Sequence, residues 1–194
     1  GELRTVDITV TDMRDVPAVG GIVLNARDIT VRKALEADLR FQALHDTLTG
    51  LANRTMFTQQ TASALRTSQQ LESVGALFID LDDFKTVNDS LGHAVGDQLL
   101  QEVSTRLITS LSSADLAARL GGDEFALLVV DAPDQAGVVA LAERVLALVA
   151  QPYRIQGRDI RVTASIGIAF ADDDGVDAEV LLRSADVAMY LAKD

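Results

Sequence analysis

The chain has no cysteine, which removes disulfides, thiolate zinc sites and cysteine nucleophiles together and fits a reducing compartment. Basic side chains are scarce: 17 Lys and Arg stand against 29 Asp and Glu, for a formal net charge of −12. A nucleic-acid backbone or an anionic membrane needs a basic face, so neither is expected as the main partner. No run approaches the ~20 uncharged apolar residues that span a bilayer. The opening Gly1-Glu-Leu-Arg4 has no basic-then-apolar leader, so no signal peptide is expected and the location is read as cytoplasmic, with membrane attachment of a longer parent left open. Only three lysines occur, Lys33, Lys85 and Lys193. An anionic ligand must therefore be met by a metal or by a few placed cations.

What is present is ordinary globular composition, 48% apolar and 24% charged over 194 residues, enough for one full domain and something extra. Residues 3–10, with Val6, Ile8 and Val10 alternating with polar side chains, and 22–26 read as two strands around a turn-prone stretch. From Thr30 to about Leu44 the period changes. Val31, Leu35 and Leu39 recur at spacing four, a helix entered through Asp28 and Thr30. It either packs on its own domain or joins two domains and pairs with a copy of itself.

Beyond residue 46 the pattern predicts a helix over 53–72, with Met56, Phe57, Ala64 and Leu65 inward, and a buried strand over 74–81. A helix over 97–111 follows, with Leu99, Leu100, Val103, Leu107 and Ile108 inward. Strands 116–120 and 125–130 flank a Gly121-Gly122 turn. After a helix over 134–150, strands 154–155 and 161–170 pair around Gly157, and a helix over 178–193 ends the chain. Two hairpins among alternating helices favour an α+β fold: a mixed, largely antiparallel sheet flanked by helices. Tyr153 and Tyr190 read as packing residues, and the acidic run at 172–174 as a solvated loop rather than a calcium site.

Two acidic clusters stand out. Asp80, Asp82 and Asp83 close the first buried strand; Asp123 and Glu124 occupy the Gly-Gly turn. Acids commonly end strands and fill turns because they are soluble there. The sharper reading is that a central strand carries Asp80 to the middle of the sheet edge and that glycines let the turn approach it. Converging carboxylates recruit a cation, and hard oxygen donors favour Mg²⁺ or Mn²⁺ held partly through substrate phosphates. Lys85 is a cation nearby. Asn88 can meet a purine edge, and the Asp97 carboxylate suits the N1 and N2 hydrogens of guanine. Taken singly, Asn88 and Gly92 are loop formers, Asp97 a helix cap and His93 a structural side chain.

These residues bring a family into view. Gly-Gly-Asp-Glu-Phe at 121–125, HDTLTGLANR at 45–54, DLDDFKTVND at 80–89, LGHAVGD at 91–97, ASIGI at 164–168 and ADVAMYLAK at 185–193 together closely resemble the GGDEF domain, in the family's order. The resemblance implies a diguanylate cyclase, which turns two GTP into cyclic di-GMP and two pyrophosphates, on a fold similar to the palm of adenylyl cyclases and polymerases. It implies Asp80, Asp123 and the Leu81 carbonyl as Mg²⁺ ligands, with Glu124 supporting the metal. Asp123 would also help deprotonate the 3′-hydroxyl. Asn88 and Asp97 would read guanine, His93 would line the pocket, and Lys85 and Lys193 would contact phosphates. One site holds one GTP, so catalysis would need a homodimer with two loaded halves face to face.

Residues 1–29, followed into the helix through Arg27-Asp-Ile-Thr30, resemble the last strands of a PAS sensor domain. The expected organisation is then a partial PAS domain over 1–29, a linker helix over 30–45 and a GGDEF domain over 46–194 cut short at its C-terminal end. Many family members carry Arg-x-x-Asp before the GGDEF motif, an inhibitory product site. Here Ser112 replaces the arginine while Asp115 remains, and a serine cannot make arginine's bidentate contact, so this site reads as degenerate. The runner-up function is a GTP-binding module regulating a fused EAL phosphodiesterase domain; a cyclase making a monomeric cyclic nucleotide is disfavoured by Asn88 and Asp97.

Overall fold

The computed structural model describes residues 3–15, 17–18, 20–67, 74–130, 132, 134–171 and 176–193. The acidic run at 172–174 lies outside the described residues. The chain divides into two compact units, 1–43 and 44–194.

In the first unit, β1 (Val6–Met13) and β2 (Gly21–Asp28) form an antiparallel hairpin. Its register sets Val6, Ile8 and Val10 opposite Asp28, Ala26 and Leu24, which puts the apolar side chains on one face because strand side chains alternate. Helix α1 (Thr30–Leu44) follows directly. The Asp28 carboxylate fixes its start, accepting from the Thr30 N–H at 3.0 Å and the Thr30 hydroxyl at 2.7 Å. No α1 residue is buried, so the Val31–Leu35–Leu39 stripe is solvent-facing.

In the second unit, α2 (Arg54–Thr67) is capped by Asn53, whose Oδ1 accepts from the Met56 N–H at 3.0 Å. Strand β3 (Gly75–Leu81) lies between β5 (Glu124–Val129) and β8 (Ala164–Phe170), and β4 (Leu116–Gly121) flanks β5. These pairings are antiparallel, while Ala52 adds a single parallel bridge to Ala118 at the edge. The uninterrupted apolar run of β3 is thus explained: it is covered on both faces. Leu77, Ile79 and Leu81 pack with residues of α3 (Phe84–Leu91), α4 (His93–Ser110) and α5 (Gln135–Val149). Ala76 and Phe78 pack with α2 and α6 (Ala178–Lys193). Helices α4 and α5 cap each other: Arg106 of α4 donates to the Leu148, Gln151 and Pro152 carbonyls at 2.6–2.8 Å, and Arg144 of α5 donates to the Ser110 carbonyl at 2.7 Å.

Four details differ from the sequence reading. The helix expected from Asp97 begins at His93. Asp97 therefore sits inside α4 instead of capping it. Ile108 is more than half exposed, on the outer side of α4. Strand β6 (Tyr153–Ile155) pairs with β7 (Arg158–Ile160), not with 161–170; β8 joins β3 instead, where seven residue pairs are available. Tyr190 is exposed, whereas Tyr153 is buried under the Arg106 guanidinium, 3.5 Å from its ring centroid. Burial raises the Tyr153 pKa to about 12.

Candidate active site

The two acidic clusters meet at one end of β3. Asp80 pairs across the sheet with Glu124 on one side and Ser165 on the other, and the Leu81 N–H donates to the Asp123 carbonyl at 3.3 Å. The Gly-Gly turn makes this possible. Gly121 (φ 147°) and Gly122 (φ 53°) adopt backbone conformations that side chains resist, and they fold the tip back beside Asp80. Burial raises the Asp123 pKa, and the Asp80 charge pushes it the same way. Glu124 is raised by burial too, against the opposing pull of Arg54, whose guanidinium is 4.0 Å away.

Lys193, the last residue of α6, donates to the Asp80 carboxylate. Burial alone would lower its pKa; the Asp80 contact outweighs that and raises it. Asp82 does not join the cluster. Its two oxygens accept from the Thr163 hydroxyl at 2.6 Å and the Ser165 hydroxyl at 2.8 Å, which ties the turn after β3 to the start of β8. Asp83, in the left-handed region at φ 56°, then starts α3.

Helices α3 and α4 carry the remaining predicted residues. Lys85 is exposed in the first turn of α3 and Asn88 is half-buried one turn later. His93 and Asp97 are exposed in the first turns of α4. Asn88 and Asp97 thus come from two helices joined at Gly92. Ser112 and Asp115 are brought together elsewhere: the Asp115 carboxylate accepts from the Ser112 N–H and hydroxyl at 3.0 and 2.8 Å and from the Val130 N–H at 3.2 Å. Its retention without the arginine has this local cause, since it fastens the α4–β4 turn to the end of β5.

Sequence reasoning missed two features. A cleft of about 550 Å³ opens beside Glu124, between α2 and α6, with Arg54, Phe78, Leu182, Arg183 and Asp186 in its walls. The second is the strut behind the turn. Arg119 donates from Nε and Nη2 to the Gly122 carbonyl at 3.0 and 2.8 Å, and from Nη1 to both Asp46 oxygens at 3.0 and 3.2 Å. Asp46 also accepts from the Thr49 N–H and hydroxyl at 2.9 and 2.7 Å. Burial alone would raise the Asp46 pKa; the Thr49 hydrogen bonds and the Arg119 charge outweigh it, and the net shift is downward. A carboxylate whose folded pKa lies below its unfolded value of 3.8 stabilises the fold above that value and ceases to do so as pH falls through the folded pKa. Asp46→Asn should therefore cost about 2 kcal/mol at pH 7, and thermal melts of parent and variant should begin to approach each other only as pH falls below 3.8.

Whether a divalent cation fits is decided by the donor set. Among the described residues no three His, Cys, Asp or Glu side chains form a ready metal cage. Mg²⁺ does not require one, because it is commonly held by one or two carboxylates with phosphates and water completing its shell. Asp80, Asp123 and the Leu81 carbonyl are hard oxygen donors of that kind.

Comparison with known proteins bears on the same residues. The family model "Diguanylate cyclase, GGDEF domain" matches residues 43–194. The chain belongs to the GGDEF family. The bifunctional diguanylate cyclase/cyclic di-GMP phosphodiesterase MucR of Pseudomonas aeruginosa is 44% identical over 153 residues, covering 78% of this chain and 22% of that protein. A crystal structure of a sensory box/GGDEF family protein from Caulobacter crescentus is 41% identical, with a TM-score of 0.72 over 77% of this chain and 97% of the other. The coiled coil and GGDEF domain of DgcB from Caulobacter crescentus, solved in complex with c-di-GMP, is 28% identical, with a TM-score of 0.73 over 84% and 86% of the two chains. The chain spans 16% to 37% of the length of the first curated relatives it matches. These likenesses agree with the α+β fold and with a diguanylate cyclase domain.

Proposed function

We propose that the GGDEF unit condenses two GTP into cyclic di-GMP and two pyrophosphates, with each of two copies supplying one loaded half-site. The observation that carries this reading is the meeting of Asp80, Asp123 and Glu124 at the central strand's end, where burial and mutual repulsion raise the pKa values of Asp123 and Glu124. Such a carboxylate pocket gains from a cation.

Asp80, Asp123 and the Leu81 carbonyl would hold Mg²⁺ or Mn²⁺, with Glu124 in support. When bound, the ion lowers the 3′-hydroxyl's pKa and neutralises charge developing at the α-phosphate. Asp123 would accept the 3′-hydroxyl proton. Lys193, already at Asp80, and Lys85 on α3 would engage the triphosphate. Asn88 and Asp97 would hold the guanine edge, with His93 beside them. Each 3′-hydroxyl would attack the α-phosphate of the nucleotide held by the opposing copy, in line with the departing pyrophosphate.

For the first unit, the amphipathic hairpin and the exposed stripe of α1 support a PAS remnant over 1–29 and a linker helix over 30–45 that pairs with its twin, leading into a GGDEF domain over 46–194. The described residues include no helix long and apolar enough to cross a membrane, and a cytoplasmic location is part of this proposal. The test is to incubate the chain with GTP and Mg²⁺ and resolve the nucleotides. Cyclic di-GMP supports the cyclase. GTP binding without product would favour a regulatory module beside an EAL phosphodiesterase, a reading that the likeness to MucR keeps in view, and cyclic GMP would favour a monomeric-product cyclase. Product inhibition through 112–115 is expected to be weak. Asp115→Ala should cost about 1 kcal/mol by freeing the α4–β4 turn and leave the cyclic di-GMP dose response unchanged; product binding abolished by this variant would restore the inhibitory site.

A further inference from the structure

Gly96 lies buried in the first turns of α4. Its backbone is not in the left-handed region, so no conformational demand calls for glycine. A helix-interior glycine costs about 1 kcal/mol relative to alanine, so its presence there points to a shortage of room. The neighbours show the shortage. A Cβ built on Gly96 would overlap Asn88 Oδ1, would lie 3.0 Å from Asn88 Cγ and would lie 3.2 Å from Phe84 Cζ. Gly92, which joins α3 to α4, differs: it has φ +88° and nothing within 4 Å of such a Cβ. One glycine serves the turn and the other serves the Asn88 side chain.

We propose that Gly96 is a positioning residue for nucleotide recognition: its bare Cα holds the Asn88 amide in the α3–α4 crevice beside Asp97. The inference rests on the reading of Asn88 and Asp97 as guanine contacts. Asn88 is half-buried, and its side chain makes no hydrogen bond to the described residues, so packing fixes the amide while its polar atoms stay open to a ligand. Asp97 follows Gly96 directly on α4. The approach of the two helices at Gly96 therefore sets the spacing between the amide on α3 and the carboxylate on α4. An alanine methyl would push the Asn88 side chain out of the crevice while leaving both helices intact.

The test is a double-mutant cycle on the 194-residue chain, read by GTP titration and by steady-state kinetics. Gly96→Ala should weaken GTP binding and raise KM about tenfold, with kcat within about twofold, a split that marks lost ground-state binding. Its Tm should be unchanged or higher, because alanine favours the helix. Asn88→Ala should weaken GTP to a similar degree, and the double variant should match Asn88→Ala within twofold, since both act through one amide. Gly96→Ala binding GTP like the parent beside a defective Asn88→Ala would overturn the role of Gly96 alone. So would a double variant whose losses multiply. Asn88→Ala binding GTP like the parent would overturn the guanine-reading role of Asn88 and the inference with it. The titration reads binding without turnover, so it separates these outcomes from a failure of the cyclase assay itself.

Discussion

Asp123→Asn should remove cyclase activity by at least about 10²–10³-fold while leaving the protein as stable as the parent or more so. The two effects have one origin. Asp123 sits where burial and the Asp80 charge disfavour its ionised form. Raising a carboxylate's folded pKa means that, above its unfolded pKa, the fold bears an electrostatic cost that protonation would relieve. An amide of the same size keeps the turn, since the contact from the Leu81 N–H is to the main-chain carbonyl of Asp123. On the proposed mechanism, it removes the negative charge that a cation and a departing hydroxyl proton would both need. Cyclic di-GMP formation and a thermal melt, measured on the same sample, decide the matter. Undiminished activity, or a cooperative loss of structure accompanying the activity loss, would count against the assignment.

The second large effect comes from packing and not from charge. Gly167→Ala should destabilise the second unit by about 3 kcal/mol. Gly167 lies in β8 opposite Phe78 of β3. A Cβ there would overlap the Ala185 carbonyl and the Met189 amide nitrogen of α6 and would lie 2.8 Å from the Met189 Cα. Those atoms are backbone, and backbone in a packed helix cannot swing aside as a side chain can. Helix α6 would have to lift, taking Lys193 away from Asp80, so activity should fall with stability. Gly75→Ala is the control. Its Cβ would lie 3.1 and 3.3 Å from the two Val138 methyls, which can give by a few tenths of an ångström. Denaturant melts should separate the two variants clearly, and equal midpoints would refute the packing argument.

Several features were legible in the sequence because their signals are local. The apolar run of β3 ending in Asp80 and the Gly121-Gly122 turn each lie within a few residues. What escaped is non-local or ambiguous in composition. The Asp46–Arg119 strut joins positions 73 residues apart, and nothing near either residue announces the other. Residues 84–91 carry no clear helical signal because Asn, Asp and Ser compete with helix formation. Helix α3 forms there with Phe84 buried in the core. The preference for pairing neighbours misassigned 161–170, since β8 gains a longer partner in β3. Ile108 and Tyr190 were placed inward on apolar character alone, which says little about burial for a single residue.

The mutual arginine caps of α4 and α5 carry a consequence for how this domain comes apart. Each guanidinium is rooted in one rod and closes the open end of the other, so fraying at either terminus strips a closure from its neighbour. The two rods must loosen together or not at all. That binds α4, on whose first turns Gly96 and Asp97 stand, to its neighbour on the same face of the sheet, and gives the proposed nucleotide crevice a stiff foundation that neither rod would supply by itself.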